Sequence, residues 1–291
     1  MRYFLSLSSL LVAASAHAVV NDVLPADYIP LAKGTSTLAV YAVDRQSTGP
    51  YSNESKLLDG NLSSQIAVLR GSYFLDMGET PVALTAVLPW SQNSVGPASL
   101  AGALGKEASG FGDIRFGATA WMVANRVSGE YFGVTGTLFL PTGAYSNQQV
   151  LNAAENRYKF TMNAGWVHQL NTSFILEVLP EVAWYGDNKS YVGGRNLSQK
   201  LSYSLSSYLR YRANPTWQFH LGAQINRGGE TQINGVDQNN PPDNTRVMAG
   251  TTYLTEDKAN QWIFRVARDT EVKNGFMTTS EVLIRYMKFF K

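Results

Sequence analysis

The chain is dominated by segments in which apolar and polar residues alternate with a period of two. In the segment 130–140, Phe132 and Val134 share one parity, whereas Thr135 and Thr137 share the other. A period of two predicts a β-strand with two unlike faces. A strand of about ten residues is long for a soluble sheet, but it matches the length that a tilted strand needs to cross a bilayer.

Such segments follow one another to the end of the chain, and their connections alternate in length. Short connections such as 76–79 and 124–129 alternate with long polar ones such as 46–61 and 91–111. This alternation is typical of outer-membrane barrels, which have short turns at one rim and long loops at the other. The sequence therefore predicts an all-β, transmembrane antiparallel β-barrel of about twelve strands. The predicted strands are 35–45, 62–75, 80–90, 112–123, 130–140, 158–169, 172–185, 200–212, 216–226, 246–255, 261–270 and 277–290.

The residue types on the two faces favour a membrane barrel over a soluble one. A soluble barrel turns its apolar face inward, whereas a membrane barrel turns it toward lipid. Here the polar faces hold many charged residues, which suits a wet lumen. The alternative is a soluble β protein whose tryptophans are ordinary core residues. We expect Trp121, Trp166, Trp217 and Trp262 beside the short turns, and Trp90 and Trp184 beside the long loops, to lie at the two membrane boundaries.

Composition agrees with an exported barrel of a single domain. Residues 1–18 have a basic start, an apolar stretch and an Ala-His-Ala end, which predict a signal peptide. Residues 19–34 are predicted to be an extended periplasmic lead-in, and residues 35–291 the barrel of a Gram-negative outer membrane. The chain has no cysteine, so disulfides contribute nothing. A formal net charge of +2 argues against a nucleic-acid partner.

Several short motifs occur in order along the chain. Among them are ADYIPL at 26–31, GFGDIRFG at 110–117 and LPTG at 140–143. With these motifs the chain resembles the outer-membrane transporter family of the meta-pathway of phenol degradation. The resemblance implies an outer-membrane barrel that passes small, often aromatic or hydrophobic compounds, with membrane lipid and the barrel assembly machinery as partners. The chain departs from the usual aromatic end of such barrels, because Lys291 follows Phe290.

Charged and polar residues on the predicted inner faces are the candidates for the site. We expect Arg265 to form an ion pair with Glu281, and a second cluster to join two arginines and two glutamates of neighbouring strands. Such residues either fill the pore as a network or select solutes as a ring. The candidates are Arg115, Lys159, Glu177, Glu181, Arg210, Arg212, His220, Arg265, Glu281 and Arg285.

Two long loops, 91–111 and 141–157, are candidates for a constriction or lid. The first contains Leu100 and Leu104 among small residues, so it is apolar enough to fold inward and contact a hydrophobic solute. The alternative is a surface loop with a short helix.

The sequence gives little support for catalysis. After removal of the signal peptide only His168 and His220 remain, and only His220 faces the predicted lumen. No serine stands at a sharp strand-to-helix turn, and no histidine spacing is typical of a metal site. We therefore predict no enzyme and no cofactor, and a passive channel for small hydrophobic or aromatic compounds. The alternatives are a closed barrel with a structural or surface-interaction role through its long loops, and third, a barrel-embedded lipid-active hydrolase.

Overall fold

Twelve antiparallel strands close into a barrel in the computed structural model, which describes residues 23–291. The predicted signal peptide lies outside the described residues. The barrel strands are β1 (Ser36–Ser52), β2 (Ser55–Met77), β3 (Thr80–Gly96), β5 (Arg115–Asn125), β6 (Glu130–Phe139), β7 (Lys159–Gln169), β8 (Phe174–Tyr185), β11 (Ser202–Arg212), β12 (Trp217–Gly228), β15 (Asn244–Leu254), β16 (Asn260–Val272) and β17 (Gly275–Phe290). The first and last strands pair over 36–51, which closes the sheet. All twelve predicted strands are present, so the predicted fold class is confirmed.

The outer surface of the barrel is apolar, which follows from the period-two pattern. Leu84, Phe116, Phe219 and Ile284 are exposed on it, while the residues of opposite parity point inward. A soluble protein rarely exposes so broad an apolar band, whereas a membrane barrel presents it to lipid. Among residues 23–291, no helix is long and apolar enough to span a bilayer.

Aromatic residues cluster on the outer face near the rim that carries the short turns, which we call the short-turn rim. Trp166, Trp217 and Trp262 are exposed there, as predicted. The prediction for Trp121 is wrong, because this residue is only 2 % exposed and points into the barrel. Trp121 shares the inward parity of Arg115 on β5, and its position near a turn was a weaker guide than that parity.

The opposite rim, the long-loop rim, has more regular structure than the sequence predicts. Residues 46–61 were expected to form a loop, but β1 and β2 continue through them as a hairpin in which Ser52 pairs with Ser55. The turn consists of Asn53 and Glu54, both with positive φ (47° and 68°), as a tight two-residue hairpin requires. Above the bilayer both strand faces meet water, so the alternation that reveals a strand is lost there.

Two further elements rise from the long-loop rim. The loop after β3 contains a helix, α1 (Ala98–Leu104), followed by β4 (Glu107–Phe111), which pairs with the upper part of β3. A second sheet joins two other loops and has four short strands. These are β9 (Asn188–Tyr191), β10 (Arg195–Gln199), β13 (Thr231–Ile233) and β14 (Val236–Asp237), with a 3-10 turn at Val192–Gly194.

Candidate functional site

The barrel lumen is filled along one side and open along the other. β8, β11, β12 and β15–β17 each carry buried inward side chains at mid-height, such as His220 of β12, and Glu177 and Arg265 have no exposed surface. On β2, β3, β5 and β6 inward side chains such as Val68, Thr85 and Thr119 keep part of their surface accessible. We call these the filled wall and the open wall. The space that a small molecule could occupy therefore lies beside the open wall.

Residues 23–34, the N-terminal segment, fold inside the barrel. The predicted extended lead-in is not what the structure shows for these residues, because 25–28 form turns, and Leu24 and Tyr28 are buried. The Trp121 indole donates a hydrogen bond to the Tyr28 carbonyl (2.9 Å), and the Tyr28 hydroxyl donates to Thr135 (2.9 Å). On the filled wall, the Tyr208 hydroxyl donates to the Val23 carbonyl (3.1 Å). The segment thus crosses the lumen from one wall to the other.

Asp27 fixes this segment electrostatically. Its carboxylate lies 2.7 Å from the Arg285 guanidinium and 3.0 Å from that of Arg70. The preceding amide of Ala26 donates to the Glu177 carboxylate (3.0 Å). Since a charge inside a barrel is costly unless it is paired, these contacts hold the segment at one position in the lumen.

A cavity of about 120 Å³ lies between the N-terminal segment and the open wall. Its lining is mixed: apolar residues alternate around it with hydroxyl and charged groups. Its floor is the N-terminal segment, and its walls come mainly from β1, β2, β3, β5 and β6. The principal lining residues are Val23, Asp27, Tyr28, Val43, Val68, Arg70, Thr85, Val87, Arg115, Thr119, Thr135 and Thr137.

The structure places most of the predicted site residues in the lumen, but only one of them at the cavity. Glu181 is half-buried and accepts a hydrogen bond from Asn163 (2.5 Å), and Arg212 lies near the short-turn rim, where it donates to the Thr172 carbonyl. Only Arg115 lines the cavity. The buried members of the set are Arg115, Lys159, Glu177, Arg210, His220, Arg265, Glu281 and Arg285.

The predicted ion pair between Arg265 and Glu281 is confirmed, at 2.6 Å. The two residues are diagonal neighbours, since Arg265 pairs in register with Leu283. Glu281 also binds Arg45 (2.7 Å), and Arg246 lies 3.5 Å away, so one carboxylate serves three arginines.

The second predicted cluster is confirmed only in part. Arg210 lies 2.5 Å from Glu177, as expected. Glu181 and Arg212 do not join that pair, because Glu181 contacts Asn163 and Arg212 contacts a backbone carbonyl. The filled wall is thus a network of paired charges that occupies lumen space.

His220 is buried in the filled wall. Its ring meets the Tyr208 ring edge-on at 5.9 Å and packs against Gly250, where a Cβ would lie 2.5 Å from Nε2. Neither ring nitrogen has a hydrogen-bond partner among the described residues. Within residues 23–291, no group of three histidine, aspartate or glutamate side chains lies close enough together to hold a metal ion. The histidine is therefore not placed as a base beside a nucleophile.

Two long loops meet at the long-loop rim in an apolar contact, which we call the loop cluster. Leu100 and Leu104 of α1 are buried against Val150 and Leu151 of the loop 140–158, together with Phe276. The amides of Val150 and Leu151 both donate to the Leu104 carbonyl, at 3.1 and 2.7 Å. The loop 91–111 therefore contains the short helix of one expectation, and its leucines pack against the second loop; none of its residues lines the cavity, and the constriction stays a prediction.

Two carboxylates organise the chain beneath the loop cluster. Asp113 accepts hydrogen bonds from the amides of Thr142 and Gly143 (both 3.1 Å) and of Glu155 (2.9 Å). These bonds join the GFGDIRFG and LPTG motifs. Glu155 pairs with Arg157 (2.6 Å) and Lys159 (2.8 Å). Burial favours the neutral acid, but these two cations outweigh it and lower the pKa of Glu155 from its ordinary 4.5 to about 2.

Comparison with known proteins identifies the group to which this lumen belongs. The model of the family described as "Putative MetA-pathway of phenol degradation" matches residues 43–282. The chain belongs to this family. The matched region runs from β1 to β17 and includes the open wall, most of the filled wall and the loop cluster, whereas the N-terminal segment precedes it. The family resemblance seen in the motifs is thus confirmed. None of the curated protein sequences matches the chain significantly.

Solved structures support the same architecture. An outer membrane channel from Pseudomonas putida F1 is 27 % identical, with 92 % of this chain and 100 % of that chain covered and a TM-score of 0.87. The beta domain of the Bordetella autotransporter BrkA is 10 % identical, with 89 % and 100 % covered and a TM-score of 0.57. The transport unit of the Escherichia coli autotransporter AIDA-I is 8 % identical, with 98 % and 97 % covered and a TM-score of 0.57. The last two share the barrel fold, and together these likenesses place the chain among outer-membrane barrels.

Sequence reasoning missed the residues that shape the cavity, apart from Arg115. Arg70 has the inward parity of Val68 on β2, so its orientation was readable. Asp27 and Tyr28 stood in the ADYIPL motif, but no local pattern shows that a segment will dock inside a barrel. Most charged inward residues belong to the filled wall, whereas the open wall presents threonines, which a search for charged residues does not find.

Proposed function

We propose that this member of the family is an outer-membrane channel for the passive passage of small hydrophobic or aromatic compounds. The observation that carries the proposal is the cavity between the open wall and the N-terminal segment. A dry cavity of about 150 Å³ is enough to hold benzene in another protein, and this one is of similar size. The cavity is thus close in size to a single aromatic ring, and a barrel of twelve strands is narrower than a general porin.

The lining of the cavity suits such solutes. Valines 43, 68 and 87 offer apolar contact, and Thr85 and Thr137 offer hydroxyls. Most ligand sites combine an apolar lining with a few placed polar groups. The similarity to an outer membrane channel of Pseudomonas putida, and a family description that names phenol degradation, support the same conclusion.

A closed barrel with a structural or surface-interaction role is the second candidate. The N-terminal segment crosses the lumen, the loop cluster joins two loops at the long-loop rim, and the second sheet extends from that rim. A lipid-active hydrolase has less support, because His220 lies among arginines and aromatic side chains without a nucleophile bonded to it. We therefore infer that the chain is not an enzyme.

Solute flux tests the proposal. Purified protein is refolded into liposomes, and the entry of phenol and benzyl alcohol is compared with that of sugars of similar size. We expect the aromatics to pass faster. Replacing α1 (Ala98–Leu104) with a Gly-Ser linker should speed entry, whereas replacing residues 232–237 of the second sheet, which do not line the cavity, should not. Because phenol and benzyl alcohol also cross lipid, their entry is measured as the excess over protein-free liposomes. No excess with protein shown to be folded would contradict the proposal and favour the closed barrel.

We also infer that residues 1–18 direct export and that the mature chain is inserted by the barrel assembly machinery, with Phe289 and Phe290 near its C-terminal end. Mass spectrometry of the protein from outer membranes checks the first point. A mature N-terminus at Val19 is expected, and retention of Met1 would contradict it.

A further inference from the structure

The cavity has a charge that a purely hydrophobic solute would not need. Two guanidinium groups line it, those of Arg70 and Arg115, and one carboxylate, that of Asp27. Asp27 is already shared between Arg70 and Arg285. Beside the cavity, Glu181 accepts a hydrogen bond from Asn163 and keeps its negative charge. The three arginines at or beside the cavity, Arg70, Arg115 and Arg285, outnumber these two carboxylates, so its surroundings are cationic overall.

Positive charge is also concentrated toward the long-loop rim. The Arg115 guanidinium lies 4.8 Å from the centre of the Phe139 ring, and the Lys159 ammonium lies 4.2 Å from it. Lys159 is paired with Glu155, and Arg157 adds a further cation to that pair. Against the three cations Arg115, Arg157 and Lys159 stand two carboxylates, Glu155 and Asp113, so this group carries a net positive charge. A narrow, low-dielectric passage beside a net positive charge raises the local concentration of anions.

Arg70 is the cation best placed for direct contact. Its side chain is 31 % exposed, whereas Arg285, the other partner of Asp27, is 2 % exposed. The guanidinium has five N–H donors in a planar fork, and one of its nitrogens contacts Asp27 and the Tyr41 hydroxyl. Val68 lies two residues away on the same face, so an apolar surface adjoins the cation.

We propose that the cavity is a binding site for a single-ring aromatic carboxylate, with the carboxylate on Arg70 and the ring among the valines of the open wall. The inference rests on the proposed channel function and adds the chemical class of the solute. A planar guanidinium matches a carboxylate in geometry, and a charge-assisted bond of this kind is stronger than a neutral one. In this assignment Arg70 determines specificity, and Arg115 contributes through the field.

The test compares benzoate with benzamide, which has the same size and no charge. Affinity is measured by calorimetry on the folded protein in detergent, and flux is measured in proteoliposomes. We expect benzoate to bind about tenfold more tightly than benzamide, as one charge-assisted hydrogen bond implies. Arg70→Gln should remove this preference, and Arg70→Lys should keep most of it. Equal affinity of the two compounds, or an unchanged preference in Arg70→Gln, would overturn the proposal.

Two control variants separate charge at the cavity from other effects. Arg265→Gln removes one lumen cation from the filled wall while Glu281 keeps Arg45, so the preference for benzoate should remain. Asp27→Asn loosens the N-terminal segment without removing a cation, so benzamide flux should rise and the preference should not fall. If both compounds pass at the same rate, the channel function stands and the carboxylate site is overturned. If benzoate binds more tightly than benzamide but neither compound passes, the carboxylate site is supported and the channel function is overturned.

Discussion

Substituting Asp27 by Asn tests whether the N-terminal segment is held in the lumen by its two ion pairs. The change keeps the size of the side chain and removes its charge, which leaves Arg285 buried without that partner. Removing one member of a buried pair costs about 3 kcal/mol or more, and Arg70, which is more exposed, adds less. A loss of about 3 kcal/mol raises the undocked population of the segment roughly 100-fold.

Hydrogen exchange of the amides in residues 23–34 measures this population directly, because exchange reports local opening of a folded protein. Exchange in this segment should accelerate by about two orders of magnitude in Asp27→Asn, while the amides of the barrel strands should not change. Lys33→Gln is the matched control, since Lys33 lies in the same segment but is 70 % exposed and 3.9 Å from Asp76. Unchanged exchange in Asp27→Asn would refute the electrostatic anchoring.

Three further predictions concern the packing of the segment and the loops. Gly165→Ala should displace the segment, because a Cβ at this position would lie 2.1 Å from the Tyr28 ring; faster exchange in 23–34 checks it, and wild-type exchange would contradict it. Trp121→Phe should weaken docking by about 1 kcal/mol through loss of the bond to the Tyr28 carbonyl, measured in the same way. Acidification should destabilise the loops near Glu155: its folded pKa is lowered from 4.5 to about 2, so the stabilisation is complete above 4.5 and is lost as the pH falls toward 2. The loss should be about 3 kcal/mol, and proteolysis of the loops should depend less on pH over this range in Glu155→Gln, in which Asp113 still titrates.

The barrel was predictable because its strands face two different media. Residues such as Phe219 and His220 alternate between lipid and lumen, and this local contrast survives in the sequence. Where both faces meet water, as in the hairpin around Asn53, the contrast disappears and the strand looks like a loop. The alternation in the sequence therefore predicts the number of strands but not the full length of each strand.

The candidate site was only partly predictable. The pair of Arg265 and Glu281 lies on adjacent strands joined by a short turn, so counting residues from the turn was enough to bring them together. Asp27 and Arg285 are separated by 258 positions in the sequence, and only the closed barrel places them in contact. No local pattern in the N-terminal segment indicates that Asp27 will contact a residue so far along the chain.

The contacts of Asp27 bear on the order in which the molecule assembles. The carboxylate bridges β2 and β17, the two strands that flank β1, and β1 with β17 forms the seam that closes the sheet. The anchor is therefore complete only when the last strand has arrived, because half of it belongs to that strand. Full anchoring of the segment in the interior therefore depends on a closed seam, and the beginning of the chain is secured by its end.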